Sequence, residues 1–147
     1  MNCVVITGSA RGFGLCQAKK FKTLGYNVVI SDVNESNLQN ATSELEQINS
    51  ENTKVVSVKC DVTKMEDIEN LYITAKNAFG GVDIWVNNAG VNSPDKPVYL
   101  LTDKEIEFIL NVTLKVQFMV QVLPLSICKS KDMARFTMWK GTAQMMQ

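Results

Sequence analysis

The residues best suited to chemistry form a glycine-rich stretch, Thr-Gly-Ser-Ala-Arg-Gly-Phe-Gly, at positions 7–14. A short apolar run over residues 3–6 precedes it, and a helical pattern begins near Leu15. Glycines in a turn between a strand and a helix let the backbone come close to a pyrophosphate, and the unpaired N–H groups of the first helical turn point at the anion. The spacing therefore predicts a phosphate-binding turn, with a tight turn that binds nothing as the alternative.

An acidic residue further along the chain supports this prediction. Asp32 lies about 20 residues beyond the glycines, at the end of a second apolar run over residues 27–31. A glycine-rich turn followed at this distance by an acidic residue is typical of units that bind dinucleotides. The alternative is that Asp32 caps the helix that follows it.

The composition argues against several classes of protein. The 147 residues carry 15 Lys and Arg against 15 Asp and Glu, and a net charge of zero does not favour binding to nucleic acid or to a membrane surface. The absence of His excludes histidine-based acid–base chemistry and histidine metal sites. The apolar stretch over residues 106–122 is broken by polar residues, so no membrane span is expected.

The same totals suggest a location in the cell. The 4 Cys residues form no CxxC pair, which is typical of free thiols in a reducing compartment. The first strand is predicted close to Met1, so we expect no signal peptide. These observations predict a cytoplasmic protein.

Short apolar runs alternate with helical patterns along the chain. Strands are predicted over residues 4–7, 27–31, 54–59 and 82–86, with a helix after each of them. Residues 102–105 have the pattern of a capping box at the start of the fourth helix. Alternation at this spacing indicates βαβ units, so the predicted fold class is α/β, a doubly wound parallel sheet with helices on both faces.

Three motifs in this order resemble the short-chain dehydrogenase/reductase family. They are the glycine-rich stretch, Asp61 with Val62 after the third strand, and Asn-Asn-Ala-Gly at residues 87–90. The resemblance implies the N-terminal part of a Rossmann-type sheet, about four strands in the order 3-2-1-4, and an incomplete NAD(P)-binding domain over residues 1–115. Residues 82–90, with Lys96 and Pro97, also resemble the chlorophyll b reductase branch of the family.

The resemblance further implies a set of cofactor-binding residues. For the pyrophosphate turn they are Gly8, Ser9, Arg11, Gly12, Phe13 and Gly14. Asp32 would accept hydrogen bonds from the adenosine ribose hydroxyls, while Asp61 and Val62 would hold the adenine. The residues expected to lie beside the cofactor after the fourth strand are Asn88, Ala89 and Gly90.

The choice between the two nicotinamide dinucleotides depends on two charged residues. A carboxylate at Asp32 repels a 2′-phosphate, so the resemblance implies NAD rather than NADP. Arg11 acts in the opposite sense, because some NADP-preferring relatives place a base just before the second glycine. Two alternatives remain open at the other motifs, since Asp61 also fits a helix cap and residues 87–90 also fit a polar turn.

The family's chemistry needs a Ser, a Tyr and a Lys four residues after that Tyr, and the sequence shows no such set after residues 87–90. The chain's Tyr-x-x-x-Lys match begins at Tyr72 on the third predicted helix, where Tyr72 belongs to the apolar face, so we do not expect it to be catalytic. Residues 116–147 show no clear fifth strand, and their back-translation permits a family-like continuation in another reading frame. We therefore interpret residues 116–147 as an aberrant, out-of-frame tail.

Together these observations predict an inactive NAD(P)-binding fragment of a family whose intact members are oxidoreductases acting on a carbonyl or alcohol. The alternative is a non-catalytic module that binds a dinucleotide or a partner protein. Intact members are expected to be homo-oligomers, but nothing in this sequence extends that expectation to the present chain.

Overall fold

The computed structural model describes residues 2–50, 52–90 and 96–112 of the chain. The strands in these residues are β1 (Cys3–Thr7), β2 (Asn27–Asp32), β3 (Val55–Lys59) and β4 (Ile84–Val86). The helices are α1 (Gly12–Thr23), α2 (Glu35–Glu46), α3 (Met65–Phe79), a short 3-10 helix (Val98–Leu100) and α4 (Asp103–Leu110). The predicted tail over residues 116–147 lies outside the described residues.

The strands form one parallel sheet with the order β3-β2-β1-β4. β1 pairs with β2 as far as Thr7 opposite Ser31, and with β4 as far as Ile6 opposite Val86. Because parallel strands end at the same edge, the turns that follow β1, β2, β3 and β4 meet at one side of the sheet. The predicted α/β fold and the strand order are confirmed.

The sheet is covered by helices on both faces, which explains why its central strands are continuous apolar runs. Val5 on β1 contributes to a core with Leu71 of α3 and Trp85 of β4. Its neighbour Ile6 points to the opposite face and contributes to a second core with Leu45 of α2. Both central strands are fully buried from their first residue to their fifth.

Several helix ends follow directly from local sequence. The Asn34 side chain caps α2 by accepting a hydrogen bond from the N–H of Asn37 at 2.9 Å. The predicted capping box is confirmed, because the Glu105 carboxylate accepts from the N–H of Thr102 at 2.7 Å and the Thr102 hydroxyl accepts from the N–H of Glu105. Lys96 donates to the same carboxylate at 2.7 Å. This bond and those from Thr102 lower the pKa of Glu105 to about 2.

None of the described helices combines the length and the apolar character that a membrane span requires.

Helix α3 offers a direct test of the core. Leu71 is 0% exposed and Ile73, two positions further, is 46% exposed. Leu71→Ala is expected to lower the free energy of unfolding by about 2–5 kcal/mol, because the truncation leaves a cavity under the sheet. Ile73→Ala, the matched control, is expected to cost below about 1 kcal/mol. Urea unfolding followed by circular dichroism measures both values, and equal losses would contradict the described packing of α3.

Candidate nucleotide-binding cleft

A cleft of about 740 Å³ lies at the edge of the sheet where the strands end. Of the twelve residues predicted to bind a cofactor, eleven line it: Gly8, Arg11, Gly12, Phe13, Gly14, Asp32, Asp61, Val62, Asn88, Ala89 and Gly90. Four separate stretches of sequence thus contribute to a single concave surface. The twelfth predicted residue, Ser9, is placed elsewhere.

Three glycines shape the turn between β1 and α1, each for its own reason. Gly8 has a φ of +60°, and a Cβ built on it would lie 2.7 Å from the Cα of Ala89. A Cβ on Gly14 would lie 2.6 Å from the carbonyl oxygen of Gly8. Gly12 has a φ of +57° but no heavy atom near its missing Cβ, so this part of the turn stays open. The turn is therefore tight where it touches the protein and open at Gly12, which lines the cleft.

The N-terminus of α1 presents backbone donors at this turn. The helix begins at Gly12, and the preceding Arg11 has an extended backbone and makes no side-chain capping bond. No acidic residue lies in the first turn of α1. The backbone N–H groups of a helix start and the positive end of the helix dipole favour an anion there.

Thr7 and Asn88 fasten the glycine turn to the end of β4. The Thr7 hydroxyl accepts hydrogen bonds from the N–H groups of Asn88 at 3.1 Å and Ala89 at 3.0 Å. The Asn88 side-chain amide donates in return to the carbonyl oxygens of Thr7 at 3.0 Å and Gly8 at 2.9 Å. This clamp sets the distance between the glycine turn and residues 88–90. Residues 88 and 89 are thus hydrogen-bonded to the glycine turn, which differs from the isolated polar turn considered as the alternative for residues 87–90.

Ser9 does not line the cleft, contrary to the prediction. Its side chain is 0% exposed and lies on the protein side of the turn. The hydroxyl donates to the carbonyl oxygen of Ile6 at 2.7 Å and accepts from the N–H of Ser31 at 3.1 Å. Ser9 therefore has a role in the protein interior, where its short polar side chain forms hydrogen bonds with buried backbone groups of β1 and β2.

Asp32 ends β2 and contributes its carboxylate to the cleft. One of its oxygens accepts a hydrogen bond from the N–H of Asn34 at 3.1 Å. Asn34 is itself the cap of α2, so the alternative in which Asp32 caps that helix is wrong. Within the described part of the chain, Asp32 forms no ion pair, so its charge faces the cleft without a neutralising partner.

Asp61 orders the turn between β3 and α3. Its carboxylate accepts from the hydroxyl of Thr63 at 2.7 Å and from the N–H of Thr63 at 3.0 Å. The side-chain bond from Thr63 lowers the pKa of Asp61, although desolvation acts in the opposite direction. Lys64, three positions later, occupies the N-cap position of α3 without a capping side-chain bond, so Asp61 is not the helix cap.

The sequence did not identify every residue of the cleft. The additional lining residues are Val33, Cys60, Thr63, Phe108 and Val112. Phe108 and Val112 stand four positions apart, a spacing that places both on one face of a helix. Cys60 is buried, and burial, with the carboxylates of Asp67 and Asp61, raises the pKa of its thiol to about 12. The cleft therefore holds a neutral thiol rather than a thiolate nucleophile near neutral pH.

The two glycines with positive φ give a test of the turn. Gly12→Ala is expected to cost about 1–2 kcal/mol of unfolding free energy, because the new Cβ meets open space and only the left-handed backbone is strained. Gly8→Ala is expected to cost clearly more, because its Cβ also forces the Ala89 backbone away. Urea unfolding of both variants decides the matter, and a Gly8→Ala loss no larger than that of Gly12→Ala would contradict the described contact.

Several curated proteins are similar to this chain. The probable chloroplastic chlorophyll(ide) b reductase of Oryza sativa subsp. japonica is 36% identical over 125 residues, which cover 76% of this chain and 25% of that protein. An uncharacterized oxidoreductase of Mycobacterium bovis is 36% identical over 111 residues, or 76% of this chain and 43% of that protein. The predicted likeness to chlorophyll b reductases is thus confirmed. A cytoplasmic location stays a prediction, since the name of the rice protein places that protein in the chloroplast.

Solved structures show the same likeness. A short chain dehydrogenase from Mycobacterium smegmatis superposes with a TM-score of 0.78 at 32% identity, covering 85% of this chain and 51% of that one. An alcohol dehydrogenase from the archaeon Thermococcus sibiricus, complexed with 5-hydroxy-NADP, gives a TM-score of 0.76 at 28% identity, covering 86% of this chain and 52% of that one. The chain spans about a quarter to a half of the length of these relatives.

A family model described as short chain dehydrogenase matches residues 2–132. This match includes β1 to β4 and all of the described residues that line the cleft. The chain therefore belongs to the short-chain dehydrogenase/reductase family, whose fold is an NAD(P)-binding Rossmann fold.

Proposed function

We propose that this chain binds a nicotinamide dinucleotide in the cleft at the ends of the strands. The observation that carries the proposal is the uncapped start of α1 at Gly12, which opens into the same cleft as the carboxylate of Asp32. An anion-binding helix start and a hydroxyl-binding carboxylate are the two polar features that a dinucleotide requires. Apolar side chains beside them suit a flat base: Val33, Val62 and Val112.

The residues present fit the cofactor that the family implies. The N–H groups at the start of α1 would hold the pyrophosphate, and the open space at Gly12 leaves room for the phosphates to approach the backbone. Asp32 would bind the adenosine ribose, and Asp61 with Val62 would hold the adenine. When bound, the cofactor supplies a carbon that accepts or donates hydride.

We favour NAD over NADP as the cofactor of this chain, although two solved relatives are complexes with NADP or 5-hydroxy-NADP. The Asp32 carboxylate lines the cleft without an ion-pair partner among the described residues, and it would repel a 2′-phosphate. Arg11 lines the same cleft and favours the phosphate. The preference follows from the position of Asp32 at the end of β2, where a ribose hydroxyl is bound in this fold.

The reaction of the whole protein is proposed by family membership as hydride transfer between the nicotinamide and a carbonyl or alcohol carbon. The described residues contribute the binding half of that reaction. No tyrosine or lysine is among the described residues that line the cleft. Tyr72, which begins the chain's Tyr-x-x-x-Lys match, is 6% exposed and belongs to the core beneath α3. We therefore propose that residues 1–147 bind the cofactor without catalysing hydride transfer.

The charge of Asp32 gives the first test. Asp32→Asn is expected to weaken NAD binding about tenfold, because a charge-assisted hydrogen bond to the ribose is replaced by a neutral one. The same change is expected to tighten NADP binding, since the repulsion of the 2′-phosphate is removed. Isothermal titration calorimetry of the full chain measures both affinities.

A matched control for this test is Glu46→Gln, which removes one carboxylate charge at the far end of α2, outside the cleft. Its affinities for both dinucleotides are expected to stay within about twofold of the unsubstituted chain. A ratio of NAD to NADP affinity that is the same in Asp32→Asn and Glu46→Gln would contradict the proposed role of Asp32.

Turnover gives the second test. With NAD and a panel of primary and secondary alcohols, or NADH and the matching carbonyl compounds, the full chain is expected to show no change in nicotinamide absorbance beyond the protein-free control. Turnover that disappears in Tyr72→Phe would assign catalysis to Tyr72. Turnover that survives in Tyr72→Phe would show that another group of the chain transfers the proton, and either result would overturn the proposed inactivity.

A further inference from the structure

Beyond the last paired residues of β1 and β2, one side chain joins the two strand ends. The pairing ends at Thr7 opposite Ser31, and the glycine turn then leaves the sheet. Ser9 reaches back across this gap, with its N–H donating to the carbonyl oxygen of Ser31 at 2.9 Å. Its hydroxyl accepts from the N–H of Ser31 at 3.1 Å and donates to the carbonyl oxygen of Ile6 at 2.7 Å. The contact therefore has two points on Ser31 and one on β1.

The two serines stand directly beside the two polar features of the cleft. Ser9 follows Gly8 at the start of the phosphate-binding turn, and Ser31 precedes Asp32 at the end of β2. We infer that Ser9 is a positioning residue that holds the pyrophosphate turn and the Asp32 carboxylate at a fixed separation. This inference rests on the proposed function, because the separation matters only for a ligand that spans both features.

The geometry distinguishes this role from simple burial of a polar group. Ser9 and Ser31 are both 0% exposed, and the hydrogen bonds between them involve the Ser31 backbone. The Ser9 hydroxyl makes two hydrogen bonds, whereas the Ser31 hydroxyl has no hydrogen-bond partner among the described residues. Removing the Ser9 hydroxyl loosens the junction between the strand ends, whereas removing the Ser31 hydroxyl leaves the hydrogen bonds of the junction intact. The chain thus contains its own matched control.

The affinity for a dinucleotide depends on the distance between the glycine turn and Asp32, because the pyrophosphate and the ribose of the ligand are covalently linked. If the turn moves relative to Asp32, the ligand satisfies one feature at the expense of the other. The affinity for a ligand that contacts only the Asp32 side does not depend on this distance. Adenosine, which has the ribose and the base but no phosphate, is such a ligand.

The experiment compares Ser9→Ala with Ser31→Ala in the full chain, using calorimetry with NAD and with adenosine. Ser9→Ala is expected to raise the dissociation constant for NAD about threefold to tenfold, which corresponds to the loss of a neutral hydrogen bond. Its affinity for adenosine is expected to stay within about twofold, and Ser31→Ala is expected to stay within about twofold for both ligands. Ser9→Cys, which keeps the volume with a weaker hydrogen-bonding group, is expected to fall between Ser9→Ala and the unsubstituted chain.

A double-mutant cycle tests whether Ser9 acts through Asp32. In the Asp32→Asn background, Ser9→Ala is expected to change NAD affinity by less than about twofold, because the ribose anchor that Ser9 positions is already weakened. A purely structural role would give the same factor in both backgrounds, and that result would overturn the inference. Urea unfolding of each variant identifies any that do not fold; if Ser9→Ala is one of them, Ser9→Cys takes its place in the cycle.

The outcomes separate this inference from the proposed function. An unsubstituted chain that binds neither NAD nor NADP contradicts the proposed function, and the inference with it. A chain that binds NAD while Ser9→Ala and Ser31→Ala behave alike overturns the inference alone. Equal weakening of NAD and adenosine by Ser9→Ala also overturns it, because the separation between the two features would then play no part.

Discussion

The clamp between Thr7 and Asn88 is the interaction on which the rest of the cleft depends. It joins the end of β1 to the end of β4 through four hydrogen bonds. Gly8 lies within this clamp, and a larger residue does not fit there because its Cβ would strike the Ala89 backbone. The bonds are at the rim of a fully buried strand, where unpaired backbone groups are costly. The position of the glycine turn is therefore fixed by its contacts with residues 88 and 89, and its open side faces the cleft.

The parallel sheet explains why chemically useful groups collect at this rim. All four described strands end at the same edge, so each turn after a strand delivers its residues there. The start of α1 brings N–H donors and the positive end of a helix dipole, while Asp32 and Asp61 bring carboxylates. These opposite polarities lie on different turns, which is the arrangement that suits a ligand with an anionic centre and a hydroxyl-bearing sugar beside it.

Much of the fold and part of the site were predictable, because they depend on local patterns. The apolar runs of β1 and β2 are long enough to identify buried strands, and the capping box at Thr102 marks the start of α4. β4 was predicted over five residues but is three residues long, because only Ile84–Val86 pairs with β1. Ends of this kind depend on the partner strand, which a local pattern does not contain.

The sequence by itself determined the order of strands and helices, the positions of the glycines and the place of Asp32 at the end of a strand. These features follow from hydrophobic periodicity and from backbone conformations that only certain residues adopt readily. Tertiary structure decided that Ser9 turns inward to Ser31, and that Phe108 and Val112 reach the cleft. The reason is that such contacts join residues far apart in the chain, so they exist only once the sheet has fixed the separation of its strand ends.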